Sequence, residues 1–182
     1  EMSSMRIMIP SGIGNTDRRH ACRLTWLRWL KHVKNVGYSF YVEAPLTDAE
    51  SNKVIEEASV FHDIVILNST APRDVSLESC TYRRWEALLY EFSLHAEKVD
   101  YFVLADDDSF LCIHHLLSDS KFWPVGHVHI SHFMRSFPDV VSIYSNTLLR
   151  DAVQIVLTNH DKTKTVHDLV SSGAIQNVTN IN

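Results

Sequence analysis

The chain has 182 residues, 45% of them hydrophobic, with a formal net charge of −5 and a pI near 6.1. That is enough apolar material for a single domain with a proper core, and too little positive charge to grip nucleic acid. No stretch approaches the roughly 18 apolar residues of a membrane span, so a soluble chain is expected, and an opening at Glu1 with no signal-like segment suggests a fragment or a processed form.

Arg6–Pro10 reads as a short first strand, closed by the turn Pro10-Ser11-Gly12-Ile13-Gly14. Asn15, Thr16 and Asp17 offer caps for a helix, along which Cys22, Trp26, Trp29, Leu30 and Val33 recur at helical spacing and should face the core. Arg19 and Arg23, four apart, share a neighbouring face near the start of that helix. Positive charge there opposes the helix dipole, which calls for an anionic partner; a solvated basic face is the plain alternative. Tyr38–Val42 is the second strand, Asp48–Ala58 a helix capped by Thr47 or Asp48, and His62–Leu67 the third strand. After the polar stretch Asn68–Ser76, a long helix is expected over Leu77–Glu97, with Tyr82, Trp85, Leu88, Leu89 and Phe92 buried. Strands and helices alternating with short links predict a parallel sheet wrapped by helices.

The apolar run Tyr101-Phe102-Val103-Leu104-Ala105 then stops at Asp106-Asp107-Asp108 and resumes at once with Ser109-Phe110-Leu111. A run of about five apolar residues is a strand buried on both faces. Its carboxyl end is where open α/β sheets bind ligands. Three adjacent anions repel unless something positive lies among them, and clustered hard oxygens suit Mg²⁺ or Mn²⁺ shared with a diphosphate. A solvated acidic turn is the competing reading; the apolar flanks favour a metal–diphosphate site.

Beyond the triplet, His114-His115-Leu116-Leu117 predicts a brief helix, on which adjacent histidines point apart and do not share an ion. Val125–Ile130 alternates as a strand with His127 and His129 on one face, facing either a metal or, more plainly, water. Val140–Tyr144 is a further strand, and Leu148, Leu149, Ala152, Val153 and Val156 mark a helix. The tail from His160 is polar, with a short element around Thr165–Val170. Cys22, Cys80 and Cys112 have no Cys-x-x-Cys spacing; one disulfide with a spare thiol, or three buried thiols, both fit. Asn68-Ser69-Thr70 and Asn177-Val178-Thr179 are glycosylation sequons, which permit a secretory lumen.

Three blocks align with one family. Arg18-Arg19-His20-Ala21-Cys22-Arg23-Leu24-Thr25-Trp26 is similar to Arg-x-x-x-Arg-x-Thr-Trp; Glu56 through Phe61-His62-Asp63-Ile64 is similar to a glutamate, spacer and Asp-Ile strand; Asp106-Asp107-Asp108-Ser109-Phe110-Leu111 is similar to Asp-Asp-Asp-x-Phe-[Val/Leu]. With Trp85 on the long helix, these blocks resemble the β1,3-galactosyltransferase-like family (glycosyltransferase family 31), which includes N-acetylglucosaminyl- and fringe-type enzymes. The resemblance implies one domain over 1–182 with a GT-A fold: a nucleotide-sugar-binding half, 1–118, and a divergent or truncated acceptor-side half, 119–182. It implies Mn²⁺ (or Mg²⁺) held by Asp108 with Asp106, and a UDP-sugar nucleotide near Arg19, Arg23, Asp63, Asp106 and Asp107. It further implies inverting transfer of galactose or N-acetylhexosamine, β1,3-linked, to a glycan on protein or lipid. The setting it implies is the Golgi lumen, reached through an N-terminal membrane anchor that this chain does not contain.

The second half departs from the family pattern. Phe137-Pro138-Asp139-Val140-Val141-Ser142-Ile143-Tyr144 stands against Tyr-Pro-x-Tyr-x-x-Gly-x-x-Tyr but lacks its glycine. His167-Asp168-Leu169 stands against Glu-Asp-Val without the glutamate, with the following glycine displaced to Gly173. The family's lysine before the long helix has no counterpart between Val75 and Cys80. Inversion in one displacement needs a base for the acceptor hydroxyl, and Asp168 is the carboxylate that the resemblance puts in that role; Asp139, Asp151 and Asp161 read as surface or capping residues. Two other readings compete. One is a catalytically inactive transferase-like domain that binds a nucleotide or partner, and the other is a phosphatase of the haloacid-dehalogenase type.

Overall fold

The structure is a computed structural model and describes residues 3–68, 77–124, 126–131 and 141–159. Six strands form one sheet: β1 (Met5–Pro10), β2 (Val36–Glu43), β3 (Ile64–Leu67), β4 (Tyr101–Ala105), β5 (His129–Ser131) and β6 (Val141–Ser145), in the order β3-β2-β1-β4-β6-β5. The first four run parallel, with Met5 beside both Val36 and Tyr101; β6 lies antiparallel to β4 and β5 antiparallel to β6. The helices are α1 (Thr16–Leu24), α2 (Asp48–Phe61), α3 (Leu77–His95), α4 (Ile113–Asp119) and α5 (Asn146–Asn159).

The strands are apolar on both sides because both sides are covered. Met5, Ile7, Ile9, Tyr101, Val103 and Ala105 pack with Cys22, Trp26, Leu30 and Ile113 on one face. Met8, Phe102 and Leu104 pack with Trp85, Leu88, Leu89, Tyr144 and Leu149 on the other. The period-two split along β1 and β4 is the signature of a sheet sandwiched between helical layers.

Several expectations shift in detail. The first helix ends at Leu24, where Thr25 leaves helical geometry (φ −101, ψ −98), and a 3₁₀ stretch follows over Leu27–His32. Three residues per turn bury Leu27 and Leu30 but turn Trp29 out, 60% exposed, so it does not share the core stripe. Thr47 caps α2, accepting from the Glu50 amide at 3.2 Å. The helix runs on to Phe61, and His62 closes it in the left-handed region (φ 55), so β3 starts at Ile64 instead of His62.

The predicted strand over Val125–Ile130 is shorter and later. Val125 lies outside the described residues and pairing begins at His129. His127 reaches Asp151 at 2.6 Å, whereas His129 stacks on Tyr144 with centroids 4.6 Å apart, so the two imidazoles do not converge. The three cysteines are free, Cys22 buried and Cys112 exposed. No described helix is long and apolar enough to cross a membrane. Asn68 is exposed at the end of β3.

Candidate functional site

Because β1 and β4 are parallel neighbours, the β1–α1 loop (residues 11–15) and the acidic turn 106–108 emerge at the same edge of the sheet. The two segments are bonded to each other. Asp107 is the inward carboxylate, 7% exposed: its Oδ2 accepts from Ser11 Oγ at 2.7 Å and Asn15 Nδ2 at 2.9 Å, and its Oδ1 from Arg18 Nη1 at 3.2 Å. The turn's main chain is held by α1 and the residues just beyond it. Cys22 Sγ donates to the Asp107 carbonyl at 3.3 Å and Trp26 Nε1 to the Ser109 carbonyl at 3.0 Å. Burial, with the charge of Asp107 beside it, pushes the Cys22 thiol up, so it stays protonated as a packing group.

The flanking carboxylates differ from Asp107. Asp106 pairs with Arg84, a buried arginine of α3; burial raises its pKa, an effect that Arg84 opposes and the charges of Asp108 and Asp107 reinforce. Asp108 is 63% exposed and meets Arg18 Nη1 at 3.1 Å. Three carboxylates thus face two guanidiniums, one buried and one at the surface.

Arg19 and Arg23 do not face an open ligand, contrary to the expectation from the helix face. Arg19 is wholly buried and engages every guanidinium nitrogen: Glu57 at 2.7 and 3.0 Å, Ser11 Oγ at 3.0 Å, Thr16 Oγ1 at 3.1 Å, and the carbonyls of Gly12 and Ile13 at 2.7 and 3.2 Å. Arg23 bonds Glu57 at 2.7 Å and both oxygens of Asp63 at 2.7 and 2.8 Å, with the Phe61 ring 4.0 Å from its guanidinium carbon. Asp63, expected at the nucleotide, is 8% exposed, bound to Arg23 and reached by Tyr38 Oη at 3.3 Å. The anionic partner that the helix dipole calls for exists, and it is the protein's own. It is Glu57 that supplies it, not Glu56, which is exposed.

These arginines nevertheless shape the site. By bracing the Gly12 and Ile13 carbonyls, Arg19 fixes the loop whose Ser11 and Asn15 grip Asp107. A cleft of about 600 Å³ lies on the other side of that loop, lined by Ile13, Thr16, Lys53, Glu57 and Phe61 among others. Asp168, the proposed base, lies outside the described residues, as do Asp139 and Asp161. Asp151 is at the surface, paired with His127.

Reasoning from sequence missed Arg18, Arg84, Ser11, Asn15 and Glu57. A signal for Glu57 was present: charges set beside an apolar stripe need buried counter-charges. Arg84 gave none, since its link to Asp106 joins α3 to the turn after β4, 22 residues on.

Among the described residues no three or more His, Cys, Asp or Glu side chains gather as a metal cage. The donors at the turn are Asp106 and Asp108. Small hard cations are commonly held by one or two carboxylates and completed by water and substrate phosphate, so this donor set fits such an ion. Ser109 Oγ, next in the chain, is buried with no hydrogen-bond partner among the described residues, and the Arg18 guanidinium already lodges a positive charge between Asp107 and Asp108.

No protein-family model matches the chain, and no curated protein sequence does. Among solved structures it is similar to the mannosyltransferase PcManGT from Pyrobaculum calidifontis in complex with GDP-Man and Mn²⁺, with TM-score 0.54 and 10% identity over 98% of this chain and 52% of that one. It is also similar to a glycosyltransferase involved in glycosylation of the major capsid of PBCV-1 (TM-score 0.49, 10% identity, 88% of this chain and 68% of that one). A third is glucosyl-3-phosphoglycerate synthase from Mycobacterium tuberculosis in complex with UDP (TM-score 0.47, 9% identity, 99% and 81%). The chain spans about half the length of the mannosyltransferase. At this identity the likeness establishes architecture alone: the chain has the GT-A fold.

Proposed function

We propose that the chain is the donor-binding core of a nucleotide-sugar-dependent glycosyltransferase. The observation that carries this is the acidic turn at the carboxyl end of β4, clamped to the β1–α1 loop through Asp107 and presenting Asp106 and Asp108 at the edge of a GT-A sheet. Asp108, with Asp106, would hold a divalent cation. Such an ion supplies Lewis-acid compensation for charge developing on a departing diphosphate. Asp107 acts by holding the turn, and Arg19 by holding the loop that Asp107 grips.

The finer reading follows the resemblance: a UDP-sugar donor, galactose or N-acetylhexosamine transferred with inversion to a glycan hydroxyl on protein or lipid, and a β1,3 linkage. Asp168 would take the acceptor proton. A Golgi-luminal setting accords with the exposed Asn68 sequon position. The haloacid-dehalogenase alternative is disfavoured, because its acidic motif belongs on the first strand and here it follows the fourth.

The test is calorimetric titration of the chain with UDP, with and without Mn²⁺, repeated on Asp108→Ala. Binding that requires Mn²⁺ and vanishes in the variant is expected; UDP binding equal in both proteins would defeat the assignment. Uptake of UDP-galactose, UDP-N-acetylglucosamine or UDP-N-acetylgalactosamine then selects the donor, since ligand at 100 times its Kd stabilises by about 2.7 kcal/mol. Binding without turnover would identify an inactive transferase-like domain.

A further inference from the structure

The two guanidiniums at the acidic turn are not equivalent. Arg84 is 10% exposed and reaches Asp106 from the buried side, out of α3. Arg18 is 52% exposed and reaches Asp107 and Asp108 from the first turn of α1 through the same Nη1, at 3.2 and 3.1 Å. Asp107 keeps its place without Arg18, because Ser11 and Asn15 hold its other oxygen. Asp108 is 63% exposed, and among the described residues its carboxylate is hydrogen-bonded by Arg18 and by no loop or helix main chain. The bond between Arg18 and Asp108 therefore joins two side chains that are both half or more in solvent and free to part.

We infer that Arg18 is a tethered counter-cation: it neutralises Asp108 while the metal is absent, gives that carboxylate up when a divalent ion enters, and turns its freed guanidinium onto the nucleotide's diphosphate. This rests on the donor-site reading above. The physical grounds are on either side of the exchange. A divalent ion on Asp108 cannot share the carboxylate comfortably with a guanidinium, since the two cations repel at the separation that both would occupy. A diphosphate arriving with the ion restores a partner, and a planar guanidinium matches its oxygens with two parallel N–H bonds. Arg18 is the member of the Arg18, Arg19 and Arg23 set suited to this, because Arg19 and Arg23 are buried and bound to Glu57 and Asp63.

The consequence is an effect of opposite sign on two ligands, which no structural role of Arg18 reproduces. Mn²⁺ alone is titrated into wild type, Arg18→Gln and Arg18→Lys, with free Mn²⁺ read by electron paramagnetic resonance. UDP is then titrated at saturating Mn²⁺. Arg18→Gln should bind Mn²⁺ roughly 3- to 10-fold more tightly, having lost the competing charge, and UDP–Mn²⁺ several-fold more weakly. Arg18→Lys, which keeps the charge and loses the fork, should leave Mn²⁺ affinity near wild type and still weaken UDP. If Arg18→Gln binds Mn²⁺ no more tightly than wild type, or UDP no more weakly, the exchange is wrong while the donor site stands. Wild type that takes up neither ligand overturns the donor site and this inference with it.

Discussion

Ser11, one residue past the end of β1, donates its hydroxyl to Asp107 Oδ2 at 2.7 Å, joining positions 96 residues apart at the edge where the two strands finish. Asp107 is therefore the carboxylate that holds the turn to this loop, whereas Asp108 beside it is exposed. Asp107→Ala should leave Ser11 and Asn15 without their acceptor and cost about 2–3 kcal/mol, roughly 5–10 °C in Tm for a domain of this size. Asp108→Ala, at an exposed ion pair, should stay within about 1 kcal/mol of wild type. Thermal melts without metal check the order; a larger loss for Asp108→Ala would reverse the roles assigned here.

Glu57 gives the fold an acid limit. Burial works to raise its pKa, but hydrogen bonds and charge from Arg19 and Arg23 outweigh burial and set it below the ordinary 4.5. A carboxylate with a depressed folded pKa contributes stability that is complete above its unfolded value and lost as pH falls through the folded one. Wild type should therefore hold its advantage over Glu57→Gln from neutral pH down to about 4.5 and lose it progressively below. Melting both proteins between pH 7 and pH 3 tests this. A gap that widens on acidification would mean that Glu57 is not the anchor of the two arginines.

A second buried carboxylate braces the opposite layer. Glu91 of α3 takes Arg6 at 2.7 and 3.1 Å, the Tyr41 hydroxyl, and His95 at 3.1 Å. Burial and the contact with Glu91 push the Tyr41 phenol well above its usual range. Arg6 lies flat across its β2 neighbour Gly37, where an added Cβ would fall 2.1 Å from Nη1. Gly37→Ala should force the Arg6 tip aside and cost about 1 kcal/mol through the lost charge-assisted bond. Glu91→Ala alone should cost about 2–4 kcal/mol, discounted for the partial exposure of Arg6. In a double-mutant cycle the two should couple by at least about 0.5 kcal/mol; strict additivity would separate Gly37 from this cluster.

Asp168→Asn addresses the acceptor side. A base acts on the acceptor and not on the diphosphate, so the variant should bind UDP and Mn²⁺ as wild type does. Transfer should fall by roughly 10²–10⁴-fold, the usual contribution of a positioned base. Full activity in the variant would move the base elsewhere.

The parts of the architecture that could be read from sequence are those that local pattern dictates. The apolar run of β4 ending at Asp106 announces a strand buried on both faces with charge at its end, and the structure buries all five of its residues. What escaped depends on contacts between distant elements. Arg19 and Arg23 read equally well as solvated, ligand-facing or paired, because periodicity locates a face and does not say what covers it. Choosing Glu57 over Glu56 is a rotation of about 100° on a helix, visible only once Val54 and Glu57 are seen buried together while Ile55 is exposed. Trp29 was misplaced because one period was carried past Thr25, where the helix tightens to three residues per turn.

The position of β1 between β2 and β4 has a kinetic side. Pairing β1 with β2 closes a short segment, whereas pairing β1 with β4 must wait for a partner 96 residues away. Contacts of such sequence separation slow folding. Until β4 arrives, the far edge of β1 presents unpaired amides to any other chain. The candidate site straddles this seam, since its acidic turn follows β4 and the loop bonded to that turn follows β1. A ligand spanning Asp108 and the β1–α1 loop would consequently act as a clasp on two segments distant in sequence, engaged only once they have met, and so lengthen the lifetime of the folded chain more than it hastens folding.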